Sequence, residues 1–238
     1  MSETPTIVLV HGAFADGASW APVTLRLLDQ GYKVLVPPVF NRSLSGDSAY
    51  IKSFVEQIDG PVILAGHSYG GAVITVAGVA DNVVGLVYVS GYALEEGESL
   101  GQLQGGFPDS ELAANLAYSP YPIESGEPGT DVSVNIDAFP AVFAAGVNTD
   151  KAKVLAVSQR PLSAIAFGEP ASVAAWKTKP GWGIVSSADR TINPDVERFG
   201  YTRAGLRKVI EIDAPHLVMQ THSAEVATFI TDAIAELG

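Results

Sequence analysis

The sequence predicts an α/β fold: a six-stranded, mainly parallel sheet flanked by helices, with a mostly helical cap inserted after the fourth strand. Three observations predict it. Short apolar runs rich in Val, Ile and Leu recur along the chain, as in parallel strands buried on both faces, and segments of helical periodicity separate them. One such run leads into Gly66-His67-Ser68-Tyr69-Gly70-Gly71-Ala72, a serine boxed by glycines between a strand and a helix. The alternation stops near Tyr92 and resumes near Trp182. A helical crossover needs only about a dozen residues, so this gap holds an insertion.

In chain order, Thr6-Ile7-Val8-Leu9-Val10 is the first strand, ending at His11-Gly12. A glycine-bearing loop follows; Ser19 as N-cap and Pro22 in the first turn predict a helix that stops at Gly31. Lys33–Val36 is the second strand, halted by Pro37-Pro38. Ser48–Ile58 reads as a helix with Ile51, Phe54, Val55 and Ile58 along one side. Val62–Ala65 is the third strand, the Ala/Val/Gly-rich helix after Ser68 runs through Ala80, and Val83–Val89 is the fourth strand. Strands and helices alternating in this way imply right-handed crossovers.

Residues 92–180 form the predicted cap, and residues 1–91 with 181–238 form the core. The cap is rich in Leu, Phe and Tyr and carries loop-like segments such as Gly126-Glu127-Pro128-Gly129. After it, Trp182–Ser186 is the fifth strand, Val196–Ala204 a helix, and Arg207–Ile212 the last strand. The final helix starts near Ser223, with Val226, Phe229, Ile230, Ala233 and Ile234 at helical spacing.

Composition narrows the function classes. The 238 residues are 47% hydrophobic and 17% charged, a folded globular composition. Net charge is −12, and no Lys or Arg occurs from Ser53 to Asp150, which argues against a nucleic-acid partner or a substrate held by its phosphates. No apolar run reaches membrane-spanning length. The N-terminal Met1-Ser2-Glu3-Thr4-Pro5 has neither the basic nor the apolar region of a secretory leader, so a cytoplasmic location is expected. Without cysteine there is neither a disulfide nor a thiolate nucleophile. No cofactor and no metal are expected; a homodimer is left open.

The chemistry centres on Ser68. Gly66-His67-Ser68-Tyr69-Gly70 fits the Gly-x-Ser-x-Gly nucleophile elbow, a tight strand-to-helix turn whose flanks must be nearly bare. A serine hydroxyl is a weak nucleophile at neutral pH and needs a base, which in turn needs an orienting acid. Of four histidines, His11 sits at the first strand-loop junction, His67 points away from Ser68, and His222 lies on the approach to the last helix. His216 remains, in the loop after the last strand, at the same sheet edge as Ser68. The acid should come between serine and histidine in the chain. Asp189, just past the fifth strand, meets that condition; Asp213, close to His216, is the alternative. The oxyanion donors are expected to be the amide of Tyr69 and one from the His11-Gly12-Ala13-Phe14 loop, Ala13 first and Phe14 second, with the Phe14 side chain also a candidate for lining the pocket.

These segments, with Ala188-Asp189-Arg190-Thr191-Ile192 and Pro215-His216, resemble the α/β-hydrolase-fold serine esterases. The chain is more narrowly similar to small bacterial esterases and to the branch holding plant methyl-ester esterases and hydroxynitrile lyases. The resemblance implies oxyanion amides at Ala13 and Tyr69. Lyases of that branch depend on a threonine and a lysine where this chain has Gly12 and Leu217, so the resemblance favours hydrolysis. The expected reaction is cleavage of a carboxylic ester or lactone of a neutral, rather apolar small molecule through an acyl-enzyme on Ser68. A C–C bond hydrolase or lyase using the same residues, and a non-catalytic receptor for a small molecule, are the rival readings.

Overall fold

The computed structural model describes residues 3–123 and 126–237; Met1 and Ser2, where the reading of the N-terminus begins, lie outside them. Six strands form one sheet: β1 (Thr6–Val10), β2 (Val34–Leu35), β3 (Val62–His67), β4 (Val83–Val89), β8 (Gly181–Ser186) and β9 (Lys208–Ile212). Their spatial order is β2-β1-β3-β4-β8-β9, and every neighbouring pair is parallel. The core helices are α1 (Ala21–Asp29), α2 (Leu44–Glu56), α3 (Tyr69–Ala77), α8 (Pro194–Arg203), α9 (Val218–Thr221) and α10 (Ser223–Ala235). β1, β3 and β8 are buried along their whole length, which is why they read as unbroken apolar runs.

At α2 and β2 the boundary differs from the sequence reading for a local reason. α2 starts at Leu44 rather than Ser48, because the Ser43 side chain accepts the Gly46 amide and caps it. Ser48 is instead buried within the helix and donates its hydroxyl to the Val73 carbonyl at 3.3 Å. β2 keeps only two paired residues because it is an edge strand running into Pro37-Pro38.

Between β4 and β8 the chain builds α4 (Leu100–Gln104), β5 (Leu116–Tyr121), β6 (Gly129–Val134), α5 (Phe139–Val142), α6 (Thr149–Val157), β7 (Leu162–Ser163) and α7 (Ala164–Gly168). Helices in this insertion agree with the expected mostly helical cap. The three-stranded antiparallel sheet, in the order β5-β6-β7, departs from it. β5 is Leu-Ala-Tyr-Ser-Pro-Tyr, with three consecutive exposed positions and a proline tolerated on a sheet edge, so its sequence resembles a loop.

Arg42, in the loop before α2, joins the cap sheet to the core. Its guanidinium pairs with Asp131 on β6 at 2.7 Å, donates to the Pro161 carbonyl at 2.9 Å and lies 4.7 Å from the centre of the Tyr121 ring. No helix among the described residues is long and apolar enough to cross a membrane.

Candidate active site

The turn from β3 to α3 holds Ser68 at φ 55° and ψ −123°, a backbone conformation that a non-glycine residue keeps only when its surroundings impose it. The surroundings are backbone. A Cβ on Gly66 would collide with the Gly70 carbonyl, and one on Gly70 would collide with the Val10 carbonyl at the end of β1. Glycine at both positions is therefore a condition of the turn. The Ser68 carbonyl accepts the amides of Gly71 at 2.9 Å and Tyr92 at 3.3 Å, which fixes the turn from behind.

His216 follows β9 and is fully buried. Its Nδ1 lies 2.6 Å from Asp189 Oδ2, and the other Asp189 oxygen accepts the amides of Thr191 at 2.6 Å and Ile192 at 3.0 Å. With both oxygens engaged, the carboxylate has one orientation, and Nδ1 of the imidazole carries the proton donated to it. That leaves Nε2 with a free lone pair, and it is a buried atom with no hydrogen-bond partner among the described residues, Ser68 included. The ring lies between His67, with centroids 4.5 Å apart, and Phe143, at 5.1 Å.

His67 does turn away from the serine. Its Nε2 donates to the His216 carbonyl at 2.9 Å, and burial, then the neighbouring His216, hold its pKa well below the usual histidine value. A neutral His67 thus braces the loop that carries His216. His11 accepts the Val39 amide at 2.9 Å, its other ring nitrogen lies 2.9 Å from the Gly12 carbonyl, and burial lowers its pKa. His222 contacts the Thr221 hydroxyl. Of the two acids weighed from sequence, Asp189 meets His216, while Asp213 is exposed in the turn after β9.

The loop after β1 separates Ala13 from Phe14. The Phe14 amide is spent on the Arg160 carbonyl at 2.9 Å, whereas the amides of Ala13 and Tyr69 have no hydrogen-bond acceptor among the described residues. Phe14 also has a positive φ of 60°, and its ring meets Phe143 edge-on at 5.7 Å.

Ala13, Phe14, Ser68 and Tyr69 form the floor of a cavity of about 150 Å³, roofed by cap residues such as Leu116, Val132, Leu162 and Phe167. Its lining contains no charged side chain. A second chamber of about 290 Å³ adjoins it, sharing Gln104, Leu112, Leu116, Tyr118 and Phe167, and includes Asp109. Tyr69 borders the first chamber while its hydroxyl donates to Asp47 at 2.8 Å; burial raises the Asp47 pKa.

Sequence reasoning missed Asp47, Thr191 and Glu197, all buried around this site. Asp47 and Glu197 lie on helices, where an acidic residue reads as a solvent-facing charge. Only the apolar neighbours at helical spacing, Leu44, Ile51 and Val55, hinted that Asp47 faces inward; the sequence around Glu197 gave no such signal.

The model of the alpha/beta hydrolase family matches residues 7–229. A carbendazim hydrolyzing esterase from Nocardioides sp. (strain SG-4G) is 38% identical over 109 residues, covering 39% of this chain and 44% of that protein, so the match spans less than half the length of that relative. Among solved structures, polyneuridine aldehyde esterase superposes with a TM-score of 0.83 at 18% identity, covering 97% of this chain and 99% of the other. A methylesterase from Arabidopsis gives 0.80 at 16% identity, with 97% and 99% covered. At these identities the structural likeness speaks for the fold.

Proposed function

The chain belongs to the alpha/beta hydrolase family, and from that premise we propose that it is a serine esterase acting on a carboxylic ester or lactone of a neutral, rather apolar small molecule. One observation carries the reading. The imidazole of His216 is buried and oriented by Asp189, and its remaining nitrogen has no partner, in a site whose adjoining cavity exposes the Ser68 turn. A buried polar atom without a partner costs about 1–3 kcal/mol, a cost compatible with a nitrogen reserved for a proton in transit.

In this reading His216 Nε2 takes the hydroxyl proton as Ser68 Oγ attacks the carbonyl carbon. Charge develops on the carbonyl oxygen and is met by the amides of Ala13 and Tyr69, the latter at the N-terminus of α3. The imidazolium, stabilised by Asp189, gives its proton to the leaving alcohol. Water then enters, loses a proton to His216 and releases the acid from Ser68. Asp189 stays ionised throughout.

The inner chamber supports the substrate class. A cavity of about 150 Å³ with an apolar wall holds a group the size of one benzene ring, so one arm of the ester is a ring or a short branched chain and the other extends into the second chamber. Relatives of the same fold carry names of esterases, which agrees with this assignment. A fluorophosphonate should label Ser68 stoichiometrically, and p-nitrophenyl acetate should give a burst followed by steady turnover. Ser68→Ala hydrolysing that ester at the wild-type rate would sink the mechanism.

A further inference from the structure

α8 presents two polar side chains one turn apart on its buried face, Glu197 and Tyr201, each 1% exposed. Neither lines the cavity, and neither has a part in the reaction described above. Glu197 Oε2 accepts the amide of Ser186, the last residue of β8, at 3.2 Å, while its other oxygen is buried without a partner among the described residues. The turn carrying Asp189 hangs from that same residue, for the Asp189 amide donates to the Ser186 carbonyl at 3.2 Å.

Tyr201 holds the neighbouring strand end. Its hydroxyl accepts the Gly91 amide at 3.0 Å. Gly91 is pressed against the serine turn so closely that a Cβ on it would stand 2.9 Å from both the nitrogen and the oxygen of the Ser68 backbone. The ends of β4 and β8 are also bridged directly by the Ser90 and Ser186 hydroxyls, 2.6 Å apart, with Ser90 at a positive φ of 45°. One helix face thus grips the strand end from which the acid's turn hangs and the segment packed against the nucleophile's turn.

We propose that Glu197 and Tyr201 are positioning residues that fix the acid's turn and the serine's turn to a single helix, so that Asp189 and Ser68 keep their separation across His216. The proposal rests on the reading of Ser68, Asp189 and His216 as the reacting set. A carboxyl group in this place is a costly way merely to fill the core, since an apolar side chain would pack there without a desolvation penalty. Burial, and then the charge of Asp189, push the Glu197 pKa well above the usual carboxylate range, with the Ser186 amide and Arg198 acting in the opposite direction and Glu211 in the same one.

The test compares wild type, E197Q, E197L, Y201F and S68A by kcat and KM on p-nitrophenyl butyrate, rate of fluorophosphonate labelling, and thermal midpoint between pH 5 and 8. E197Q keeps an acceptor for the Ser186 amide, and its kcat stays within about threefold of wild type. Its thermal midpoint gains on wild type as pH rises. A folded-state pKa raised above the unfolded value contributes stability that is present below about 4.5 and is lost as pH rises towards the folded pKa, and glutamine has no such dependence. E197L loses about tenfold or more in kcat and in labelling rate with KM within about twofold, and Y201F loses about threefold to tenfold. Wild-type kcat in E197L and Y201F well below their melting temperatures, whatever their loss of midpoint, makes both residues core polar groups and overturns the proposal. Should E197L not fold, Y201F decides alone. Turnover retained by S68A would instead overturn the reacting set itself, a separate outcome.

Discussion

The core sheet and the cap sheet are built from strands of similar length, yet they differ in almost every other respect. The core strands run parallel and three of them are buried from end to end, whereas the cap strands run antiparallel and β5 has three exposed residues in succession. The reacting groups proposed for catalysis, Ser68, Asp189 and His216, all belong to the core; most of the cavity roof belongs to the cap. β3 and β8, which lead to Ser68 and Asp189, are packed on both faces, and close packing leaves their ends little room to move. A half-exposed hairpin has fewer such constraints and tolerates change. The comparison teaches a division of labour: the core is built for fixed geometry and the cap for shape that can vary.

That division can be broken most severely at the reacting set. Ser68→Ala and His216→Ala should each lower kcat/KM for p-nitrophenyl esters by at least about 10⁴-fold while leaving the circular dichroism spectrum unchanged. Next in size is the stability contrast. Leu64→Ala, at a fully buried position in β3, should cost about 2–5 kcal/mol in urea unfolding, whereas Leu116→Ala on the half-buried β5 should cost under about 1 kcal/mol. Equal losses would show that the cap is as tightly integrated as the core.

Specificity should follow the opposite pattern. Leu162→Ala enlarges the inner chamber from the cap side and should raise the ratio of kcat/KM for octanoyl over acetyl p-nitrophenyl esters by about tenfold, a change read directly from initial rates. The histidines supply a pH contrast. His67 and His11 are held neutral with depressed folded-state pKa values, so their contribution to stability is complete above about 6.5 and is lost as pH falls towards the folded pKa. Each contributes a slope of up to about 1.4 kcal/mol per pH unit in that window. Urea midpoints should fall between about pH 6.5 and 5, where the two histidines titrate against the opposite slope of Glu197, and His67→Gln should flatten the fall. The smallest effect is expected at the tether. Arg42 is partly solvated, so Arg42→Ala should change global stability by no more than about 1 kcal/mol while hydrogen exchange accelerates in β6 and β7.

The same contrast explains what could be read from the sequence. β1, β3, β4 and β8 are legible because burial on both faces leaves mostly apolar residues, and the serine turn is legible because backbone collisions demand glycine at Gly66 and Gly70. The contact between Asp189 and His216 follows from topology, since parallel strands bring the ends of β8 and β9 to one edge. The cap sheet was missed because its alternation is interrupted by Pro120 and by polar positions facing water. Glu197 was missed for another reason: nothing in the letters Pro-Asp-Val-Glu-Arg distinguishes a carboxyl turned inward from one turned out, and only tertiary packing decides it.

The amide of Phe14 ends on the carbonyl of Arg160, a cap residue. The loop holding Ala13 is therefore clamped on one side by β1 and on the other by the insertion above it. Anyone grafting a different cap onto this core to change its substrate would remove an anchor of the amide proposed to face the oxyanion. Selectivity and rate share that one peptide carbonyl, so a graft that keeps the backbone at Arg160 should preserve turnover where a complete exchange of residues 92–180 loses it.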